Sequence, residues 1–120
     1  MEWRLDKNRA ICPQICDTIC VMIASGDITP GEKLTSVREV AAEADVTPNT
    51  VQKDYVLLEQ RGVIYSKRGS GWYVSDRVDI AKDILEKMIH TKTADYLNEM
   101  QSFGLDKKEI ISIIKGFRYS

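Results

Sequence analysis

The 120-residue chain contains one histidine and three cysteines, too few for two common architectures. A structural zinc site takes about four ligands. A secreted disulfide framework takes an even set of cysteines at spread spacings, whereas Cys12, Cys16 and Cys20 are odd in number and crowded together. No apolar run approaches the roughly 20 residues that span a bilayer. The amino-terminal "MEWRLDKNRA" lacks the apolar stretch of a signal peptide, so the expected location is the cytoplasm, away from any membrane. Paired carboxylates, a nucleophile beside a base and a glycine-rich nucleotide loop are also missing. The reading is therefore not an enzyme, with no catalytic residue, cofactor or metal. The formal net charge of -1 carries no sign of a polyanion partner, so nucleic-acid binding would have to rest on local charge and geometry.

The residues present are 43% hydrophobic and 29% charged, the balance of a soluble globular domain. Ile11, Ile15, Ile19, Met22 and Ile23 recur at helical spacing, and Gly26 closes that helix. "DITPGEKL" reads as a turn at Pro30 and Gly31. A second helix opens near Ser36, where "SVRE" has the form of a capping box. A third runs from about Pro48 to Arg61. Thr47 stands at its N-cap and Pro48 at the first helical position, where the missing N–H has no intrahelical partner in any case. Val63–Lys67 and Trp72–Ser75, joined by Arg68-Gly69-Ser70-Gly71, read as a β-hairpin with a basic tip. A long amphipathic helix follows from about Val78 to Ser102. Gly104 breaks the chain there, and a second capping box, Asp106 to Glu109, opens a short isoleucine-rich helix.

Three helices followed by a hairpin is the order of a winged helix-turn-helix. In that unit the third helix enters the DNA major groove amino-terminal end first. Asn49, Thr50, Gln52 and Lys53 cluster at that end. Asn and Gln pair bidentately with adenine, and Lys reaches guanine or a phosphate. Lys67 and Arg68 occupy the wing tip beside Gly69 and Ser70. From Thr47 to Val74 the basic residues outnumber the acidic ones by two.

These segments resemble the GntR family of bacterial transcription regulators. The likeness covers about Ile11 to Val74 and includes "SGDITPGEKLTSVREVAAEADVTPNTVQKDYVLLEQRGVI" and "RGSGWYV". Its ordered pieces are S-G-x-(I/L)-x-P-G, S-V-R-E-(L/V)-A, N-T-V, L-E-x-x-G-(L/V)-I and G-x-G. The short tail of about 45 residues, with "WRLD" and "GLDKKEII", is similar to the YtrA subfamily. The resemblance implies DNA contacts from Ser36, Arg38, Thr47, Asn49, Thr50, Gln52 and Lys53, with the wing contact from Lys67, Arg68, Gly69 and Ser70. Pro48 and Gln52 stand where many relatives carry Arg, and Asp54 where a small residue is common.

The expected fold is α+β, mainly α. A winged helix-turn-helix DNA-binding domain over residues 1–76 precedes a two-helix dimerisation region over 77–120. Ile84, Leu85, Met88, Leu97, Met100, Ile110, Ile113, Ile114 and Phe117 form the expected dimer face, because an isolated helix as apolar as "IISIIKGF" is marginal on its own. The expected partner is a palindromic double-stranded operator bound by a homodimer acting as a repressor, with any effector unidentified. We read the cysteines as small packed apolar residues, with Cys12 central on the apolar face, Cys16 at its edge and Cys20 beyond it; Cys20 is then the thiol to test for reactivity. His90 reads as an exposed polar residue and Trp72 as a packing residue. Two rival classes share these elements: a ligand- or redox-responsive sensor, and a winged helix used for protein contact.

Overall fold

A computed structural model describes the backbone of residues 11–119 and the side chains from Gln14 onward. Cys12 and the "WRLD" segment lie outside the described side chains. The described residues form five helices and two strands, divided into a unit that ends at Leu85 and a second unit, Glu86–Ser120.

In the first unit, α1 (Ile11–Ser25) buries Ile15, Ile19, Cys20 and Ile23 and ends at Gly26, whose φ of 85° is left-handed. α2 (Val37–Ala44) buries Val40, Ala41 and Ala44. The Ser36 hydroxyl accepts from the Glu39 amide at 3.2 Å, so the cap forms; the return arm from the Glu39 side chain is not made. The tight turn out of α2 rests on Asp45, a non-glycine residue at φ 57° whose N–H donates to the Ala41 carbonyl. α3 (Pro48–Gln60) then starts with Pro48 in its first turn. Val51, Tyr55 and Leu58 face the core, each contributing about 1.5–3 kcal/mol relative to exposure.

β1 (Ile64–Lys67) and β2 (Gly71–Val74) pair antiparallel, Ile64 opposite Val74 and Lys67 opposite Gly71. A third segment joins them. Leu34 N–H donates to the Trp72 carbonyl at 2.8 Å, Val74 N–H donates to Glu32 at 3.0 Å, and Lys33 bridges Tyr73. The stretch expected to be only a turn therefore also lines β2, because the edge of a lone hairpin leaves backbone groups in need of partners.

α4 (Val78–Ser102) begins in the first unit and continues into the second. In the second unit Gly104, at φ 86°, turns the chain into α5 (Lys107–Gly116). Both arms of its capping box form: Glu109 N–H to Asp106 Oδ1 at 2.8 Å, and Asp106 N–H to Glu109 Oε1 at 3.2 Å. Ile110 was expected on the dimer face; it is instead 1% exposed, because it points inward in its own chain. The neighbouring Ile111, Ile113, Ile114 and Phe117 remain 44–64% exposed.

Candidate nucleic-acid interface

The amino-terminal turn of α3 is presented by its cap. Thr47 is extended at the N-cap, but its hydroxyl caps no amide; it pairs with the Thr50 hydroxyl at 3.0 Å. The Thr50 amide instead donates to the Thr47 carbonyl at 3.1 Å. Pro48 has no N–H, so one of the amides that a helix start leaves without an intrahelical partner is absent here. Asn49, Gln52 and Lys53 are exposed and Thr50 is half-buried. The opposite face of the same turns is locked: Val51 and Tyr55 are fully buried. The Tyr55 hydroxyl donates to the Thr35 carbonyl at 2.7 Å, and its ring meets Trp72 edge-on at 5.6 Å. Trp72 thus packs the wing against α3. Asp54 is fully buried, so its carboxylate does not stand on the exposed polar face.

A cleft of about 300 Å³ gathers Ser36, the N-cap of α2, Arg38 of α2, Gln52 of α3, and Ser70 and Gly71 of the wing. Lys33 lines it too. Sequence reasoning passed over Lys33, because its bridge to Tyr73 joins residues distant in the chain and no local pattern shows it. Gly71 sits at φ 131°, a backbone conformation that L side chains rarely adopt, and a β-carbon there would also lie 3.1 Å from the Lys33 Cε. Arg38 is exposed and forms no ion pair among the described residues, so its guanidinium is available to another group.

The wing is braced by side chains. Glu59 Oε2 accepts from the Ser66 amide at 3.1 Å and from its hydroxyl at 2.7 Å, tying β1 to α3. Tyr65 and Tyr73 stack at 5.7 Å, Lys67 Nζ lies 4.5 Å from the Tyr73 ring centre, and the Ser70 and Tyr73 hydroxyls hydrogen-bond. Arg68 and Gly69 project at the exposed tip, with Gly69 at φ 75°. The structure thus brings Ser36, Arg38, Gln52 and Ser70 around one cleft. Thr47, Asn49, Thr50 and Lys53 share the α3 tip beside it; Lys67, Arg68 and Gly69 lie on the wing.

Other chemistry finds little footing. Among the described residues no group of three or more His, Cys, Asp or Glu side chains could hold a metal ion. No described helix is long and apolar enough to cross a membrane. Cys20, expected beyond the apolar face, is fully buried, because α3 covers α1 on that side as well. Burial and the nearby Asp17 charge push its thiol up to about 11, so it is protonated at neutral pH and poorly nucleophilic.

The family profile described as bacterial regulatory proteins, gntR family, matches residues 13–74. The transcriptional regulator YhcF of Bacillus subtilis is 31% identical over 98% of this chain and 97% of its own length. The transcriptional repressor YtrA of the same organism is 42% identical over 55% of this chain and 51% of its own. A GntR family regulator from Listeria monocytogenes superposes with a TM-score of 0.80 at 32% identity, covering 95% of this chain and all of that one. The DNA-binding domain of AraR, in complex with operator ORX1, superposes with a TM-score of 0.53 at 25% identity, over 62% of this chain and 92% of that one.

Proposed function

This chain belongs to the GntR family of bacterial regulatory proteins and is a DNA-binding transcriptional regulator, and on that premise we propose that it is a homodimeric repressor of an inverted-repeat operator. The observation that carries the reading is the amino-terminal end of α3. Its polar residues Asn49, Gln52 and Lys53 stand exposed behind Pro48, while the other side of the same helix is fixed in the core by Val51 and Tyr55. A rigid rod with a polar, donor-and-acceptor-rich tip is what reading base edges requires.

In this reading Asn49 and Gln52 read bases, with Thr47, Thr50 and Lys53 at their side. Ser36 and Arg38 from α2 and Lys67, Arg68, Gly69 and Ser70 from the wing hold phosphates, with Lys33 added to that set. Residues 1–76 carry the DNA contacts and 77–120 the dimer contacts. The exposed row Ile113, Ile114 and Phe117, beside a groove of about 300 Å³ that Tyr96 and Tyr119 also line, supports pairing with a second copy. The repressor role follows the likeness to YtrA, itself a transcriptional repressor.

Footprinting of the purified protein on fragmented genomic DNA, followed by transcript measurement in a deletion strain, tests this. The expected result is protection of two symmetric half-sites and increased expression of the adjacent genes on deletion. Protection without sequence preference, or falling transcripts on deletion, would contradict it.

A further inference from the structure

A second cavity lies behind α3, away from its polar tip. It measures about 240 Å³. α1 supplies Cys16, Asp17 and Cys20; α3 supplies Leu57 and Leu58, with Arg61 at its C-cap; Ile84 of α4 completes it within the first unit. We propose that this cavity is an effector site for a small, largely apolar molecule of no net charge, whose occupancy changes operator affinity. The second half of that statement rests on the DNA-binding reading.

Size sets the first constraint. A cavity of about 150 Å³ takes one benzene ring, so 240 Å³ has room for roughly ten non-hydrogen atoms. The walls set the second. Leu57, Leu58 and Ile84 are apolar, and Leu57, at 39% exposed, places a large hydrophobic side chain at the mouth. Cys20 is fully buried and belongs to this apolar wall, while the Cys16 thiol donates to the Asp54 carbonyl at 3.9 Å. Charge sets the third. The lining contains one carboxylate, Asp17, and one guanidinium, Arg61. An ion of either sign would surrender its hydration to a site with no net countercharge. A neutral molecule with one hydrogen-bonding group meets neither penalty.

Placement gives the cavity its consequence. Leu58 lies nine residues beyond Asn49 on the same helix, about 14 Å along its axis. The ligand would therefore press on the inner end of the rod whose outer end reads DNA. The effector role requires that DNA and a guest between those helices favour different seatings of α3 against α1. Coupling of this kind is typically 5–150-fold and acts reciprocally.

Indole is a fitting probe: neutral, aromatic and of the right size, with one N–H donor. Benzoate and phenethylammonium are its anionic and cationic counterparts. The full-length protein with labelled methyl groups is titrated with each and followed by NMR. Indole should shift the methyls of Leu57, Leu58 and Ile84 saturably, binding at least about tenfold more tightly than either ion. Cys16→Met, which narrows the cavity, and Leu57→Ser, at an exposed position, should each weaken it about tenfold. Operator affinity of the parent should fall by about 5-fold or more with indole, and the indole concentration that gives half of this fall should rise about tenfold in the variants.

Shifts confined to Ile113 and Ile114, equal binding of the charged probes, or indifference to both substitutions would overturn the site. Shifts at the expected methyls with unchanged operator affinity would overturn the effector role. A protein that binds no specific operator even without indole defeats the regulator reading, while the methyl shifts still decide whether the cavity takes its ligand.

Discussion

At the scale of single residues, neighbours with similar chemistry are expected to behave differently. Asn49 is exposed on a fixed rod, so its substitution should act on one base step. Asn49→Ala is expected to cost about 1–3 kcal/mol of specific binding and to relax preference at that step alone. Arg68 sits on the wing tip and should touch phosphate. Arg68→Ala should weaken binding to all sequences alike and reduce the log–log salt slope by about 0.9. Fluorescence anisotropy with single-base operator variants, repeated across salt, separates the two; a change of base preference in Arg68→Ala at unchanged affinity would reverse the assignment. Cys20 makes a stability prediction instead. Its thiol titrates near 11 when folded, against 9.0 for an unperturbed thiol. Above pH 9 the unfolded chain gives up this proton while the folded chain keeps it, so stability is complete below pH 9 and falls as pH rises from 9 towards 11. Cys20→Ala should be less stable at neutral pH, from lost packing, yet show a flatter decline in Tm across that interval. Parallel curves for the two proteins would remove the buried thiol as the cause.

At the scale of elements, most of the fold was legible because each helix carries its own punctuation. Gly26, Pro48 and Gly104 mark boundaries where a left-handed or proline-compatible backbone is required, and the structure places ends or starts there. The Asp106–Glu109 box was legible for the same reason: both partners sit within one turn. What was hidden depends on residues distant in sequence. The pairing of Glu32–Leu34 with β2 spans some forty positions, so no local pattern announces it. Lys33 was overlooked in consequence, and the burial of Cys20 and Asp54 escaped notice because helical angle on one helix cannot say how many neighbours cover it. Glu59 is the long-range tie with the clearest consequence. Its carboxylate holds both the amide and the hydroxyl of Ser66. Glu59→Ala should leave α3 folded but loosen the wing. Hydrogen exchange should quicken in Ile64–Lys67, with α3 amides near Tyr55 unchanged, and nonspecific DNA affinity should fall more than base preference. Equal loosening of α3 would mean that Glu59 supports the whole unit and not the wing.

At the scale of the whole molecule, one recognition helix sees too little DNA to pick a site in a genome, and duplication is the ordinary remedy. Linking two weak readers converts the second contact into an intramolecular one, which raises avidity about 10²–10⁴-fold without any new contact. Two readers related by a two-fold axis fit half-sites one helical turn, about 34–36 Å, or a multiple of it apart. In the proposed dimer the cost of exposing Ile113, Ile114 and Phe117 is recovered by burying them against a second copy. Ile110, already buried within its own chain, should not take part. Ile114→Glu, at a position 56% exposed, puts a charge on that face without touching the core. It should shift sedimentation from dimer to monomer and leave the thermal unfolding of the first unit in place. Affinity for the full operator should drop about 10²-fold or more, while affinity for an isolated half-site stays unchanged. Ile110→Glu should instead unfold the tail helix, visible as lost helicity. An Ile114→Glu protein that remained a dimer with full operator affinity would move the symmetric contact off this face and leave its exposed isoleucines needing a different partner.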